Sequence, residues 1–583
     1  MEPEMIEKAG LRIAVQGCGH GTLHEIYASI AKTCEIKGYD GVDLLIIGGD
    51  FQVPQSISKI TCIIMNIFQA VRNAYDLNCM AVPVKYRQIG DFHEYYSGAR
   101  TVPYLTIFVG GNHEASNHLW ELYYGGWAAP GIYYMGAANV VRLGPLRIAG
   151  LSGIWNGRDY KKPHFERLPY NSSDVRSIYH VRELDTRKLL QIRTQVDIGI
   201  SHDWPRGVEW QGDLRGLLRV KPYLEEDLNN GRLNSVAAKL ALDRLRPAYW
   251  FSAHHHVKFA ATINHSKEEN GSDGQKQAVN QAQPMSNEQQ ATATKNEEEI
   301  DLDLDEGVPV ATQAAPSEPP KLSNADEIDL GLDDEDERPA QTHDDTPTVP
   351  EDLRAQLPAA FSRPPANTST EGFLPPPDIT NKLTRFLALD KCGANRSFLQ
   401  ILGVEPVSQP SAPAHQQKSF HLEYDKEWLA ILRVFAADLT LGDPSAQIPQ
   451  DQGSAHYLPR IETEEAWVEA NVVQPGKMII PENFELTAPV YDPAMGINVQ
   501  GQPREYRNPQ TRAFCEMLQI PNPFHATEEE VQARMQAGPR PDDPRFEGGH
   551  RGRGGFGGGR GWARGRGGNR GGTRGGQGRA RQR

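Results

Sequence analysis

The stretch Gly110-Gly111-Asn112-His113-Glu114 follows an apolar run, Tyr104-Leu105-Thr106-Ile107-Phe108-Val109, that reads as a buried strand. A strand, a glycine turn and then Asn-His-Glu place polar side chains at the carboxyl end of a strand, where open α/β sheets build their sites. Four other stations share this grammar. Leu11 to Gln16 leads into Gly17-Cys18-Gly19-His20, and Val42 to Ile47 leads into Gly48-Gly49-Asp50. Val196 to Ile200 leads into Ser201-His202-Asp203, and Tyr249 to Ala253 leads into His254-His255-His256. Five apolar runs, each discharging Cys, Asp, Asn or His at its end, can converge on a pair of divalent cations.

The order of these stations resembles the calcineurin-like metallophosphoesterases, whose pattern runs D-x-H, GD, GNHE, H and GHxH. The first station departs from it, with Cys18-Gly19-His20 in place of Asp-x-His. That cysteine, with Ser201-His202-Asp203-Trp204-Pro205 and Ala253-His254-His255-His256-Val257-Lys258-Phe259, resembles the RNA lariat debranching enzymes. The resemblance covers residues 11–265. It resumes over residues 381–524 with Thr384-Arg385-Phe386-Leu387-Ala388-Leu389-Asp390-Lys391-Cys392.

The resemblance implies an α/β fold: a metallophosphoesterase β-sandwich, two sheets flanked by helices, with a C-terminal accessory domain. By motif, Cys18, His20, Asp50 and His256 surround one metal, and Asp50, Asn112, His202 and His254 the other. Asp50 bridges them, since one anion between two cations offsets their repulsion. Two such ions supply a nucleophile at neutral pH and neutralise charge on phosphoryl oxygens. A soft thiolate at Cys18 favours iron or zinc, while Asp, Asn and His accept manganese too. His113 adjoins a ligand without completing either set, which suits a general acid for the departing 2′ oxygen. Glu114 or Asp203 is expected to orient the imidazoles. His255 stands where the family has an apolar residue and is expected to point away. Alternate residues of His254-His255-His256 share a face if that segment is extended.

The implied reaction is hydrolysis of the 2′–5′ phosphodiester at the branch point of excised intron lariat RNA, in the nucleus. Two readings stand beside it. A phosphodiesterase acting on DNA ends or small nucleotides would carry Asp at position 18. A catalytically impaired RNA-binding homologue is the other.

Composition bounds the rest. Six cysteines without close pairing in 583 residues argue against a disulfide scaffold and for a reducing compartment. The acidic start, Met1-Glu2-Pro3-Glu4, lacks the apolar region of a secretory signal. No run approaches the ~20 apolar residues of a membrane span, so no membrane partner is expected. The net charge of −14 sums opposed blocks. Residues 296–337 hold 16 Asp and Glu against Lys321, whereas residues 549–583 hold 10 Arg and no acid. Opposed blocks on one chain suggest separate partners, or one block masking the other.

Taken in order, residues 1–265 read as the catalytic domain. After His20, Leu23 to Lys32 has helical spacing, with Cys34 beyond it. Residues 53–69 are atypical, because the resembling family joins GDFQ to AVRN almost directly. Val53 codons begin with GT and Phe68-Gln69 suits a pyrimidine-rich CAG end, so the insertion reads as a translated intron, with a genuine surface loop or added helix as the rival reading. Ala70 to Tyr96 is expected to be helical, followed by the Lys85-Tyr86-Arg87-Gln88 cluster near the ligand loops. Residues 152–182 form a long aromatic and basic segment that aligns with the family's lariat recognition loop. Long loops in compact domains are usually functional. Trp155, Tyr160 and Phe165 suit stacking on unpaired bases, and Arg158, Lys161 and His164 suit phosphate contact.

Residues 266–380, rich in Gln, Ser, Pro, Asp and Glu, cannot offset the entropy of ordering and read as a disordered acidic linker. Glu299-Ile300-Asp301-Leu302-Asp303-Leu304-Asp305-Glu306 and Glu327-Ile328-Asp329-Leu330-Gly331-Leu332 alternate acid with Leu or Ile. Solvated spacer and short docking motifs for splicing-associated proteins are the two readings. Residues 381–524 form the accessory domain, with helical spacing around Trp428-Leu429-Ala430-Ile431-Leu432. Residues 525–583 are a disordered tail with RGG repeats, a composition suited to sequence-tolerant RNA binding.

Overall fold

The computed structural model describes residues 10–19, 21–50, 71–84, 87–267, 375–407 and 420–542. His20, Lys85, Tyr86, the 53–69 insertion, nearly all of the acidic linker and the RGG tail lie outside the described residues. The first strands are β1 (Leu11–Gln16), β2 (Leu44–Ile47), β3 (Thr106–Phe108), β4 (Gly126–Ala129) and β5 (Ile132–Tyr134). Then come β6 (Ala138–Leu143), β7 (Leu146–Leu151), β8 (Ile198–Ser201), β9 (Tyr249–Ser252) and β10 (Phe259–Asn264). The C-terminal segment adds β11 (Leu383–Ala388), β12 (Leu399–Val404) and β13 (Leu422–Tyr424).

They build two mixed sheets, in the orders β12-β1-β2-β3-β5-β4 and β10-β11-β9-β8-β7-β6-β13. In the first, β1, β2, β3 and β5 run parallel; in the second, β7, β8, β9 and β11 do. Parallel neighbours bring their carboxyl ends to one edge, which is how the five stations gather. The period of two divides each strand between two cores. Ile13, Val15, Leu44 and Ile46 face Ile148, Ile198, Ile200 and Phe251 between the sheets. Ala14, Leu45 and Ile47 turn to the outer face, against Ile26, Tyr27 and Ile30.

That outer helix spans Leu23–Lys37, longer than its sequence spacing suggests, so Cys34 lies within it and is buried. Gly38, at φ 68°, ends it by donating to the carbonyls of Cys34 and Glu35. Among the described residues of the stretch 70–96, where helix is expected, the structure has a 3-10 turn, Asp76–Cys79, and a short helix, Phe92–Tyr96. The reason is the fully buried Arg72. Its amide and guanidinium both donate to Asp76, at 3.0 and 2.9 Å, and Nη1 reaches Glu121 at 2.7 Å. Burying that charge requires such partners, and they win over helical hydrogen bonding.

The segment after residue 381 does more than pack on the catalytic part. β11 inserts between β10 and β9, with Phe386 beside Trp250, and β12 pairs with β1 from Leu11–Val404 to Gln16–Leu399. It therefore completes both sheets. The helix Lys426–Phe435 is capped by Asp425, whose carboxylate also receives Arg147 at 2.8 and 2.6 Å. No helix among the described residues is long and apolar enough to cross a membrane.

Candidate metal centre

Cys18, Asp50 and His202 follow β1, β2 and β8, and all three are buried. One ligand atom from each lies within 4.8 Å of the others. The Nδ1 of His202 stands 2.9 Å from the Gly48 carbonyl, which can only accept, so Nδ1 carries the proton. The free Nε2 lone pair then faces Asp50 Oδ2 at 3.3 Å and Asn112 Oδ1 at 3.2 Å. Three lone-pair donors converging in a dry pocket repel one another unless a cation sits among them. The donor set thus fits a divalent metal. The same crowding explains the titration of His202. Burial would lower its pKa, but the Asp50 carboxylate, with the Gly48 carbonyl, raises it overall.

The geometry depends on backbone as much as on side chains. A Cβ on Gly111 would lie 2.2 Å from Asp50 Oδ1, so only glycine lets the Asn112-His113 turn approach the carboxylate. The His113 amide then donates to Asp50 Oδ1 at 3.1 Å, and the Gly111 amide to Glu114 Oε1 at 2.9 Å. Three of the seven non-glycine residues with positive φ among the described residues are here: Asp50 (42°), His254 (61°) and His256 (48°). Such conformations cost about 1–3 kcal/mol each and cluster at functional sites.

His254 and His256 therefore do not take the extended arrangement expected. β9 ends at Ser252, and left-handed turns at alternate residues, rather than strand pleating, set their directions. The His254 amide donates to Cys18 Sγ at 3.2 Å, and its ring lies 5.0 Å from that of His202. His255 points away, its Nε2 2.8 Å from Asn234 Oδ1 and its ring edge-on to Trp204. Burial pushes the Cys18 thiol well up, and Asp50 adds to this, while the His254 amide pulls it down. Burial also lowers His113, whose Nε2 is 3.2 Å from Asn112 Nδ2.

Glu114 holds the Gly111 turn, and His202 is oriented by a backbone carbonyl. Asp203, its carboxyl pushed up to about 6 by burial, instead accepts the Trp155 amide at 3.1 Å. That bond fastens the 152–182 segment to the residue after His202. Trp155 and Tyr160 are half-buried with ring centroids 4.8 Å apart, Phe165 is half-buried, and Arg158 and Lys161 are exposed. His164 needs correction as a phosphate contact. It is buried, 2.7 Å from Asp185 through Nε2 and packed edge-on against Trp120, so it anchors the loop from within. His180 repeats the device on Asp159 at 2.8 Å. Arg87 is likewise turned inward, onto Val82 O at 2.8 Å and Asn78 Oδ1 at 3.0 Å.

The chain matches two family models. The calcineurin-like phosphoesterase model covers residues 11–258, and the model of the lariat debranching enzyme C-terminal domain covers residues 381–523. The lariat debranching enzyme of Schizosaccharomyces pombe is 37% identical over 511 residues, 86% of this chain and 95% of that protein. That of Danio rerio is 37% identical over 515 residues, 88% of this chain and 66% of that one. The Homo sapiens lariat debranching enzyme is 36% identical over 510 residues, covering 88% and 69%. With a metallophosphoesterase sandwich, a cysteine in the first ligand station and this likeness along nearly the whole chain, the protein belongs to the lariat debranching enzymes.

Proposed function

We propose that the chain hydrolyses the 2′–5′ phosphodiester at the branch point of excised intron lariat RNA. The observation that carries the chemistry is the convergence of Cys18 Sγ, Asp50 and His202 Nε2 within 4.8 Å, behind strand ends that also deliver Asn112 and His113. Divalent ions held there by Cys18, His20, Asp50, Asn112, His202, His254 and His256 would neutralise phosphoryl charge and lower the pKa of water. Iron or zinc suits the thiolate and manganese the remaining ligands.

The protein's own groups do the rest. Water adds to phosphorus, the bond from phosphorus to the 2′ oxygen breaks, and that oxygen takes a proton while the phosphate stays on the 5′ side. His113 is the proton donor. Burial lowers its pKa, and an arriving phosphate, negative and close, acts in the opposite direction. Asp203 and the Trp155 amide set the recognition loop beside the site, where Trp155, Tyr160 and Phe165 stack on bases and Arg158 and Lys161 meet phosphates. Action in the nucleus, RNA contact by the RGG tail, and docking of splicing-associated proteins on the acidic linker complete the reading.

Purified protein with a divalent metal is incubated with branched RNA and with linear RNA of the same sequence. The branched substrate should yield a linear product with a 5′-phosphate and a free 2′-hydroxyl, and the linear one should persist. Equal cleavage of both would reduce the reading to a general phosphodiesterase. Cleavage of neither would leave an RNA-binding homologue.

A further inference from the structure

The 152–182 segment is rooted on the turn that carries Asn112 and His113. Ser152 and Gly153 follow β7 in the second sheet, and Gly110 follows β3 in the first. The Gly110 amide donates to Ser152 Oγ at 2.9 Å, and the Gly153 amide donates to the Gly110 carbonyl at 2.8 Å. Both backbone groups of Gly110 are thus held by the first two residues of the segment. The Ser152 hydroxyl has one proton, and it goes to the Gly136 carbonyl at 2.6 Å, since a carbonyl can only accept. Gly136 follows β5, so one hydroxyl ties together the ends of three strands drawn from both sheets. The far arm of the segment closes on the same root, with Ile154 bridged to His180. A Cβ on Gly153, at φ 95°, would stand 2.1 Å from the Tyr179 carbonyl oxygen, so only glycine fits there.

Other bonds fix the rest of the turn: the Gly111 amide donates to Glu114, and the His113 amide to Asp50. Packing does less at its start. A cavity is lined by Gly110, Gly111 and Glu114 from the turn and by Tyr179, His180 and Val181 from the segment. Atoms that border a cavity lack partners on that side, so dispersion contacts hold them less firmly. The alignment of turn and segment then falls to the hydrogen bonds at Gly110.

We propose that Ser152 is a positioning residue of the hydrolytic site, its hydroxyl setting the turn 110–114 so that His113 meets the departing 2′ oxygen. This deepens the hydrolytic reading above and rests on it. Ser152 and Gly153 also root the segment proposed to hold the RNA, so substrate and proton donor are placed from one point. Without the hydroxyl, the Gly110 amide and the Gly136 carbonyl lose their shared partner and the turn can shift. Cys18, Asp50 and His202 stand on other strand ends and keep their places.

Ser152→Ala removes the hydroxyl, and Ser152→Thr keeps it. For Ser152→Ala, metal content by mass spectrometry and affinity for branched RNA should match wild type. Single-turnover cleavage should fall about 10-fold or more, toward the ~10²-fold that a displacement of ~1 Å can cost. In a His113→Ala background, adding Ser152→Ala should slow cleavage less than twofold further, because the serine acts through His113. A general structural defect would instead carry its full effect into that background. Hydrogen exchange across residues 106–115 should quicken in Ser152→Ala, and Ser152→Thr should restore both exchange and cleavage. Cleavage by Ser152→Ala within twofold of wild type overturns the proposal. So does loss of metal, a full effect in the His113→Ala background, unchanged exchange, or a threonine variant that restores neither readout. If wild type leaves branched RNA intact but cleaves another phosphodiester, the branch-point reading fails, and the Ser152 comparison is made on that substrate.

Discussion

The backbone amide of His113 donates to Oδ1 of Asp50 across 3.1 Å, so the proposed proton donor and the proposed bridging ligand are fixed to each other by a main-chain bond. The other carboxylate oxygen, Oδ2, remains directed at His202. One acid thus holds the His113 turn through one oxygen and faces His202 with the other.

This separates two substitutions. Asp50→Ala should lose bound metal and all turnover. His113→Ala keeps the amide that holds Asp50, so metal content and branched-RNA binding should persist while single-turnover cleavage slows by about 10²–10⁴-fold. Loss of metal from the His113 variant would sink the general-acid role.

Stability should report the buried anchor of the 152–182 segment. Burial would raise the Asp185 pKa, but Lys188, at 2.9 Å, and His164, at 2.7 Å, hold it well below the usual carboxylate range. A depressed carboxylate contributes stability above its unfolded value of ~3.9 and loses it as pH falls toward the lower folded value. Asp185→Asn should therefore cost about 3–5 kcal/mol at neutral pH. Its deficit against wild type should narrow by about 1.4 kcal/mol per pH unit below ~3.9. Denaturant titrations at neutral and acid pH check this, and a gap independent of pH would refute it.

Deleting residues 53–69 should leave a protein at least as stable and as active as the full chain. Asp50 sits in the centre at φ 42°, and Val71 and Arg72 are fully buried, with the Asn73 side chain on the Pro489 carbonyl at 2.8 Å. Both flanks are thus anchored independently, and lengthening the connection between them adds little closure entropy. Displacement of the centre by ~1 Å can cost ~10²-fold in rate, so relief of the insertion can only help. Sequencing the transcript decides its origin: these codons present in every mature copy, without GT and AG ends, would exclude an intron.

Truncation from Gly549 removes all ten tail arginines. RNA affinity should drop and become less sensitive to salt. The slope should flatten by about 0.7 for each phosphate the tail neutralises on a single strand, while cleavage at saturating RNA stays unchanged. An unaltered slope would mean the tail does not meet the substrate RNA.

The sheets and most of the centre were legible in the sequence. Apolar runs ending in Cys18, Asp50, Asn112 and His202 could be read because strand burial and ligand chemistry are both written in side-chain type. The helix near Trp428 could be read for the same reason. The features that waited for the folded chain involve backbone groups, which every residue carries alike. The proton on His202 is placed by the Gly48 carbonyl, 154 residues away, and Cys18 meets the His254 amide 236 residues away. Nothing local marks either partner. The left-handed turns at His254 and His256, the inward ring of His164 and the inward guanidinium of Arg87 follow from burial against distant partners, which overrides local propensity. The loop after β11 belongs with them, since only the seating of β11 beside β9 brings the Cys392 amide to the Cys18 carbonyl.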